Sequence, residues 1–258
     1  MILDYVPLLR LQRDLYRIPR GFDRFREYLR VMIEPGGNDV ALPLVAMNPM
    51  GKEHVAEYLD RLLELDADTV AARAVAETAP QVADAEGVFR CALVVADDRG
   101  GGWTNRFASE HALRFPARSI KSESLNKWIV GHLWTNDVPS VESIRDAMCC
   151  AIHRLSYLQR HGPARTLRRK LAQEGEVMAR SSCTQPTLDP DDIEYTRHVI
   201  APHLDSDLDC TAIECLFGDA AAKTLGFTPR GLSPWAGLAL AREDARRRLA
   251  FKGRDSDG

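Results

Sequence analysis

The sequence predicts a mixed, helix-rich α/β fold: a small sheet of about three to four parallel or mixed strands with flanking helices, followed by an all-helical C-terminal half. Three observations carry that prediction. Val88–Ala96 and Trp128–Trp134 are short apolar runs rich in β-branched and aromatic residues, the composition of buried strands. Apolar residues at helical spacing recur ahead of the first run. From Ser140 onward the chain reads almost entirely as helix.

Leu8, Leu11, Leu15 and Ile18 and, after Pro19-Arg20-Gly21, Phe22, Phe25, Leu29 and Met32 predict a helical hairpin. Pro35-Gly36-Gly37-Asn38 stops it. The continuous apolar run Val40–Met47 predicts a first strand, which Pro43 confines to a sheet edge. Lys52–Leu65 and Asp68–Val82 carry helical periodicity, with Val55, Leu59, Leu62 and Leu63 on one face. The polar stretch Asp97–Asn126 is too long for a simple turn, and Phe107–Phe115 supplies a short helix within it. Strand, helices, strand, connection, strand, helix is the order of βαβ units.

Beyond, Ser140 caps a helix with the stripe Ile144, Met148, Ile152 and Leu155. Pro163, Pro190 and Pro234 mark helix starts, the last two behind the capping residues Asp189 and Ser233. Asp209 caps the helix Cys210–Phe217, Gly218 and Gly226 are stops, and Arg246–Arg248 occupy the last turn of the final helix. The expected organisation is one globular unit over 1–251, an α/β part (1–139) packed with a helical part (140–251), and a disordered tail over 252–258.

With 45% of its 258 residues hydrophobic and 28% charged, the chain has the composition of a folded protein. A formal charge of −3, from 34 basic and 37 acidic residues, supplies no global field for nucleic acid or an anionic membrane. The basic cluster Arg160, His161, Arg165, Arg168, Arg169 and Lys170 reads as a solvated helix face balanced by Glu174 and Glu176. Asp4 and Arg10 interrupt the opening segment, and no run is long enough to cross a bilayer, which predicts a soluble, unexported, cytoplasmic chain. Six cysteines without CxxC or zinc-type spacing predict buried, reduced thiols.

Ligands of open α/β sheets bind beyond the carboxyl ends of the strands. There the sequence places Asn48, Gly51, Lys52 and His54; then Asp97, Asp98, Gly100–Gly102, Trp103, Asn105 and Arg106; then Thr135, Asn136 and Asp137. Parallel strands would gather these groups at one edge. The resulting expectation is a small-molecule-binding protein or enzyme, with Asp97 or Asp98 as acid or base, Lys52 and Arg106 holding an anionic ligand, and Trp103 as a wall. Asn48, Asn105 and Thr135 complete the expected lining. No metal is assigned: Glu110-His111 with His54 and Asp97 would form a hard oxygen and nitrogen set, but no HExxH frame exists. His203–Asp209 alternates acids yet lacks the glycine of a calcium loop. The triple glycine completes neither GxGxxG nor GK[ST], and nothing names a reaction or a cofactor. The rival class is a non-catalytic interaction or scaffold protein that uses its helical half for a partner or a homodimer, its polar loops being ordinary turns.

Overall fold

A computed structural model describes residues 1–33, 41–99, 104–116 and 127–254. The chain falls into two compact units, one of Met1–Arg106 with Ile120–Gln159, the other of Phe107–Ser119 with Arg160–Gly258. This division differs from the expected boundary at 139/140, because most of the helix that follows the sheet belongs with the sheet.

In the first unit, β1 (Ile2–Tyr5), β2 (Val88–Ala96) and β3 (Trp128–Trp134) form a parallel sheet in the order β1-β2-β3. Its helices are α1 (Leu9–Leu15), α2 (Phe22–Met32), α3 (Glu53–Glu64), α4 (Ala67–Thr78) and most of α6 (Val141–His161). α5 (Arg106–Arg114) begins on the last residue of this unit's first segment. β2 is central and buried from Cys91 to Ala96, as a parallel strand covered on both faces must be. Ser140 caps α6 as expected, its Oγ accepting from the Ser143 N–H at 3.1 Å, and Ile144, Met148, Ile152 and Leu155 are all buried. At Gly131 of β3 a Cβ would lie 3.0 Å from Met148 Sδ and 3.2 Å from the Ala147 backbone, so the glycine lets α6 approach the sheet.

The expected first strand is not one. Within Val40–Met47, Leu44–Ala46 forms a single 3₁₀ turn closed by Met47 N–H to Leu44 O at 2.9 Å; residue 40 lies outside the described residues. Pro43 has no N–H for a ladder, and the turn buries Leu44 and Met47 while Val45 is exposed. The true first strand is the four-residue β1.

β1 is too short to cover its neighbour. Its last bond runs from Val6 N–H to Cys91 O at 2.8 Å, after which β2 continues alone on that side. The fully buried Gln12 of α1 takes over: its Nε2 donates to Leu93 O at 2.9 Å, and its Oε1 accepts from Val95 N–H at 2.9 Å. One side-chain amide thus fills the place of a strand's peptide group, as buried backbone polar groups require.

The second unit holds all but the first residue of α5, then α7 (Leu167–Arg180), α8 (Pro190–Ile200), α9 (Asp209–Phe217), α10 (Asp219–Thr224) and α11 (Ala236–Arg254). Asp189 caps α8 through the Asp192 N–H at 2.8 Å. Gly218, at φ 81°, ends α9. Other boundaries move. α7 is capped by Thr166 rather than opened by Pro163, and α11 starts two residues after Pro234. α11 also runs to Arg254, past Arg246–Arg248 and into the expected tail, of which 255–258 lie outside the described residues. Asp209 is the first residue of α9 and not its cap. All six cysteines carry free thiols. No helix among the described residues is long and apolar enough to cross a membrane.

Replacing Gln12 with Leu, similar in volume, should leave Leu93 O and Val95 N–H unpaired and lower stability by about 2–4 kcal/mol. Urea denaturation followed by circular dichroism measures this; a loss below about 0.5 kcal/mol would mean that the side chain matters only for packing.

Candidate functional site

The register of β2 with β3 sets the geometry. Ala96 pairs with Trp134, and Thr135 N–H donates to Ala96 O at 3.1 Å, so Asp97-Asp98 and Thr135-Asn136 leave the sheet side by side. Asp97 is 2% exposed, and its carboxylate is bound from four directions. Asn48 Nδ2 reaches Oδ2 at 2.8 Å, while His54 Nε2 at 2.8 Å, the Arg99 N–H at 3.2 Å and Thr135 Oγ1 at 3.2 Å reach Oδ1. Burial alone would raise the Asp97 pKa; the hydrogen bonds from His54, Asn48 and the Arg99 amide outweigh it and hold the carboxyl below the ordinary range.

An ionised carboxylate only accepts, so His54 Nε2 carries the proton and the lone pair of the neutral ring resides on Nδ1. Nδ1 has no bonded partner among the described residues. His54 belongs to the first turn of α3, behind Lys52, whose side chain is exposed.

Asn48 is itself fixed. Its Oδ1 accepts from the Met50 N–H at 3.0 Å, and its backbone oxygen accepts from the Gly51 N–H at 3.0 Å and from the Tyr16 hydroxyl. Gly51 suits this close turn, because a Cβ there would lie 2.8 Å from Val55 Cγ2 and 3.1 Å from the Tyr16 oxygen. Burial raises the Tyr16 pKa well beyond that of a free phenol, so its hydroxyl stays a donor.

Asp98 shares the Thr135 hydroxyl with Asp97. Its Oδ1 accepts from the Asn136 N–H at 3.0 Å and lies 3.2 Å from the Thr135 hydroxyl. Arg106, at the start of α5, binds both oxygens of Asp137 at 2.7 and 2.8 Å, lies 3.5 Å from Asp98, and stacks 5.5 Å over the Trp134 ring.

The structure therefore brings Asn48, His54, Asp97, Asp98, Arg106, Thr135 and Asp137 together, adds Tyr16, and places Lys52 two residues from His54. Asn105 directly precedes α5. Gly100–Gly102 and Trp103 lie outside the described residues. The guanidinium of Arg106 is engaged by carboxylates. Glu110 and His111 bond Arg114 and Lys170 respectively, and no cluster of three or more His, Cys, Asp or Glu side chains suited to a metal occurs among the described residues. Tyr16 could not have been found from the sequence, where it is one aromatic in an amphipathic helix. His54 had a signal in its place after a predicted strand. No family model, curated protein or solved structure matches the chain.

Asp97→Asn should destabilise the protein by about 1.5–3 kcal/mol at pH 7, the worth of hydrogen bonds to a charged group. Because the folded-state pKa is depressed, that stabilisation is full above the ordinary value of 3.8 and is lost as pH falls through the lowered one. Denaturant titrations of both proteins at pH 7 and pH 3 should show the gap between them closing in acid.

Proposed function

We propose that the chain is an enzyme that moves a proton on a small polar molecule at the carboxyl edge of its sheet, with His54 as general base and acid. The single observation that supports this is the 2.8 Å bond between His54 Nε2 and Asp97, an aspartate buried and fixed by three further donors. A histidine anchored through one nitrogen to an ionised aspartate is held in one tautomer and one orientation, and the cation that forms when it takes a proton is stabilised by the carboxylate.

In this reading Nδ1 accepts a proton from the substrate and returns it to the product. Asp97 stays ionised and orients the ring; Asn48 and Thr135 hold Asp97. Asp98, tied to the Asn136 N–H and near Arg106, keeps the β3 loop in register beside it. Arg106, bound to Asp137, acts as a brace, and Lys52, exposed two residues before His54, is the cation that meets an anionic group of the ligand.

His54→Gln should lower turnover about 10²- to 10⁴-fold, the usual contribution of a positioned acid or base. The measurement is consumption of compounds from a metabolite extract by the purified chain, read by mass spectrometry against the variant. Nitrogen-15 NMR of the histidine rings adds an observable free of any substrate: the neutral His54 ring should carry its proton on Nε2. A proton on Nδ1, or equal consumption by wild type and His54→Gln, refutes the proposal.

A further inference from the structure

Within the second unit, His111 of α5, Lys170 of α7 and Asp209 of α9 meet at one point. Lys170 Nζ lies 3.2 Å from His111 Nε2 and 2.9 Å from Asp209 Oδ1, and His111 Nε2 lies 3.4 Å from the same oxygen. Lys170 is 3% exposed and His111 6%, whereas the Asp209 side chain is 74% exposed. Phe115 closes the site, its ring 5.3 Å from the imidazole and 5.4 Å from the ammonium. The sequence had counted Lys170 with a solvated basic face.

We propose that His111, Lys170 and Asp209 form an acid-sensitive latch, closed while His111 is neutral and opened when the ring takes a proton. An ammonium group has donors only, so the His111 nitrogen that faces Lys170 must present its lone pair. Protonation there removes the acceptor and puts a second buried cation 3.2 Å from the first. One carboxylate, that of Asp209, is left to balance both cations, and its side chain is 74% exposed, where solvent screens its charge.

Among the described residues, the neighbouring acids of these helices are engaged with other partners. On α5 itself, Glu110 accepts from Arg114 at 2.8 Å. On α7, Glu174 is bound to Arg114 and to Gln173 Nε2. On α9, Asp209 is the facing acid, and its carboxyl lies below the ordinary range despite partial burial, because Lys170 donates to it. It therefore stays ionised while His111 titrates. The energetics agree with the geometry: burial first, and the Lys170 charge second, push His111 from 6.5 down to about 4, against a smaller opposing effect of Asp209.

The sign follows by linkage. The closed form prefers a neutral ring, so its advantage is full above pH 6.5 and is lost as pH falls toward 4. The ratio of open to closed should rise about twentyfold between pH 7 and pH 5. Phe107, packed on Phe217 and Trp235 at 6.0 and 5.7 Å, and the bond from Arg114 to Glu174 anchor α5 on either side of His111. The opening is thus expected to be local, centred on the middle of α5 and the start of α9.

Hydrogen exchange of the full chain, resolved by mass spectrometry and corrected for the intrinsic pH dependence, tests the latch. Peptides covering 106–114 and 209–217 should lose protection about twentyfold from pH 7 to pH 5 in the wild type and stay constant in His111→Gln, which keeps an acceptor for Lys170 but does not titrate. Unchanged wild-type protection, or the same loss in the variant, overturns the proposal. If His111→Gln does not fold, NMR titration of the wild-type His111 ring decides: a midpoint well below 6.5 that tracks the loss of protection supports the latch, and a midpoint at or above 6.5 overturns it.

Discussion

The candidate site depends on the register between β2 and β3. With Ala96 opposite Trp134, the two strands end together and their next residues share one edge. Slipping one strand by a single residue would turn Asp97 or Thr135 to the opposite face and dissolve the carboxylate's hydrogen-bond set. The register is supported from below, where Gly131 leaves room for Leu93 of β2 and for Ala147 and Met148 of α6, and from the side, where Gln12 fixes β2 two residues past the end of β1. Packing within the sheet thus positions a charged group at its end.

Each unit buries charge in its own manner. Asp97 is surrounded by donors, so that burial and ionisation coexist. Lys170 is held between one acid and one neutral base, an arrangement satisfied in only one protonation state. The first arrangement fixes a histidine; the second makes a helix contact conditional on solvent. Both follow from the cost of leaving a charge unpaired away from water.

Much of the fold was legible because burial on both faces writes itself into composition. Val88–Ala96 and Trp128–Trp134 end where their runs of β-branched and aromatic residues end. β1 has only four residues, alternately half exposed, and leaves no such trace. Val40–Met47 misled because a continuous apolar run is equally compatible with a 3₁₀ turn that buries Leu44 and Met47. At the site, Asp97, Asp98, Thr135 and Asn48 were readable from their places after apolar runs, although Asn48 follows a turn and not a strand. Lys170 was not, since a lysine among arginines looks solvated until α5 covers it.

The replacement of a strand by the Gln12 side chain has a consequence for how molecules of this protein meet one another. A bare strand edge offers alternating donors and acceptors to any extended segment and is a common seed of aggregation. Beside Leu93 and Val95 that offer is withdrawn, because the donor and the acceptor an incoming strand would need are already bound within the fold. A side-chain amide has one peptide-like face and no continuation, so it ends the ladder where a fourth strand would have prolonged it. The chain thereby protects its central strand from intermolecular pairing at little cost in length, and keeps the end of the sheet that carries Asp97 free of a further strand on that side.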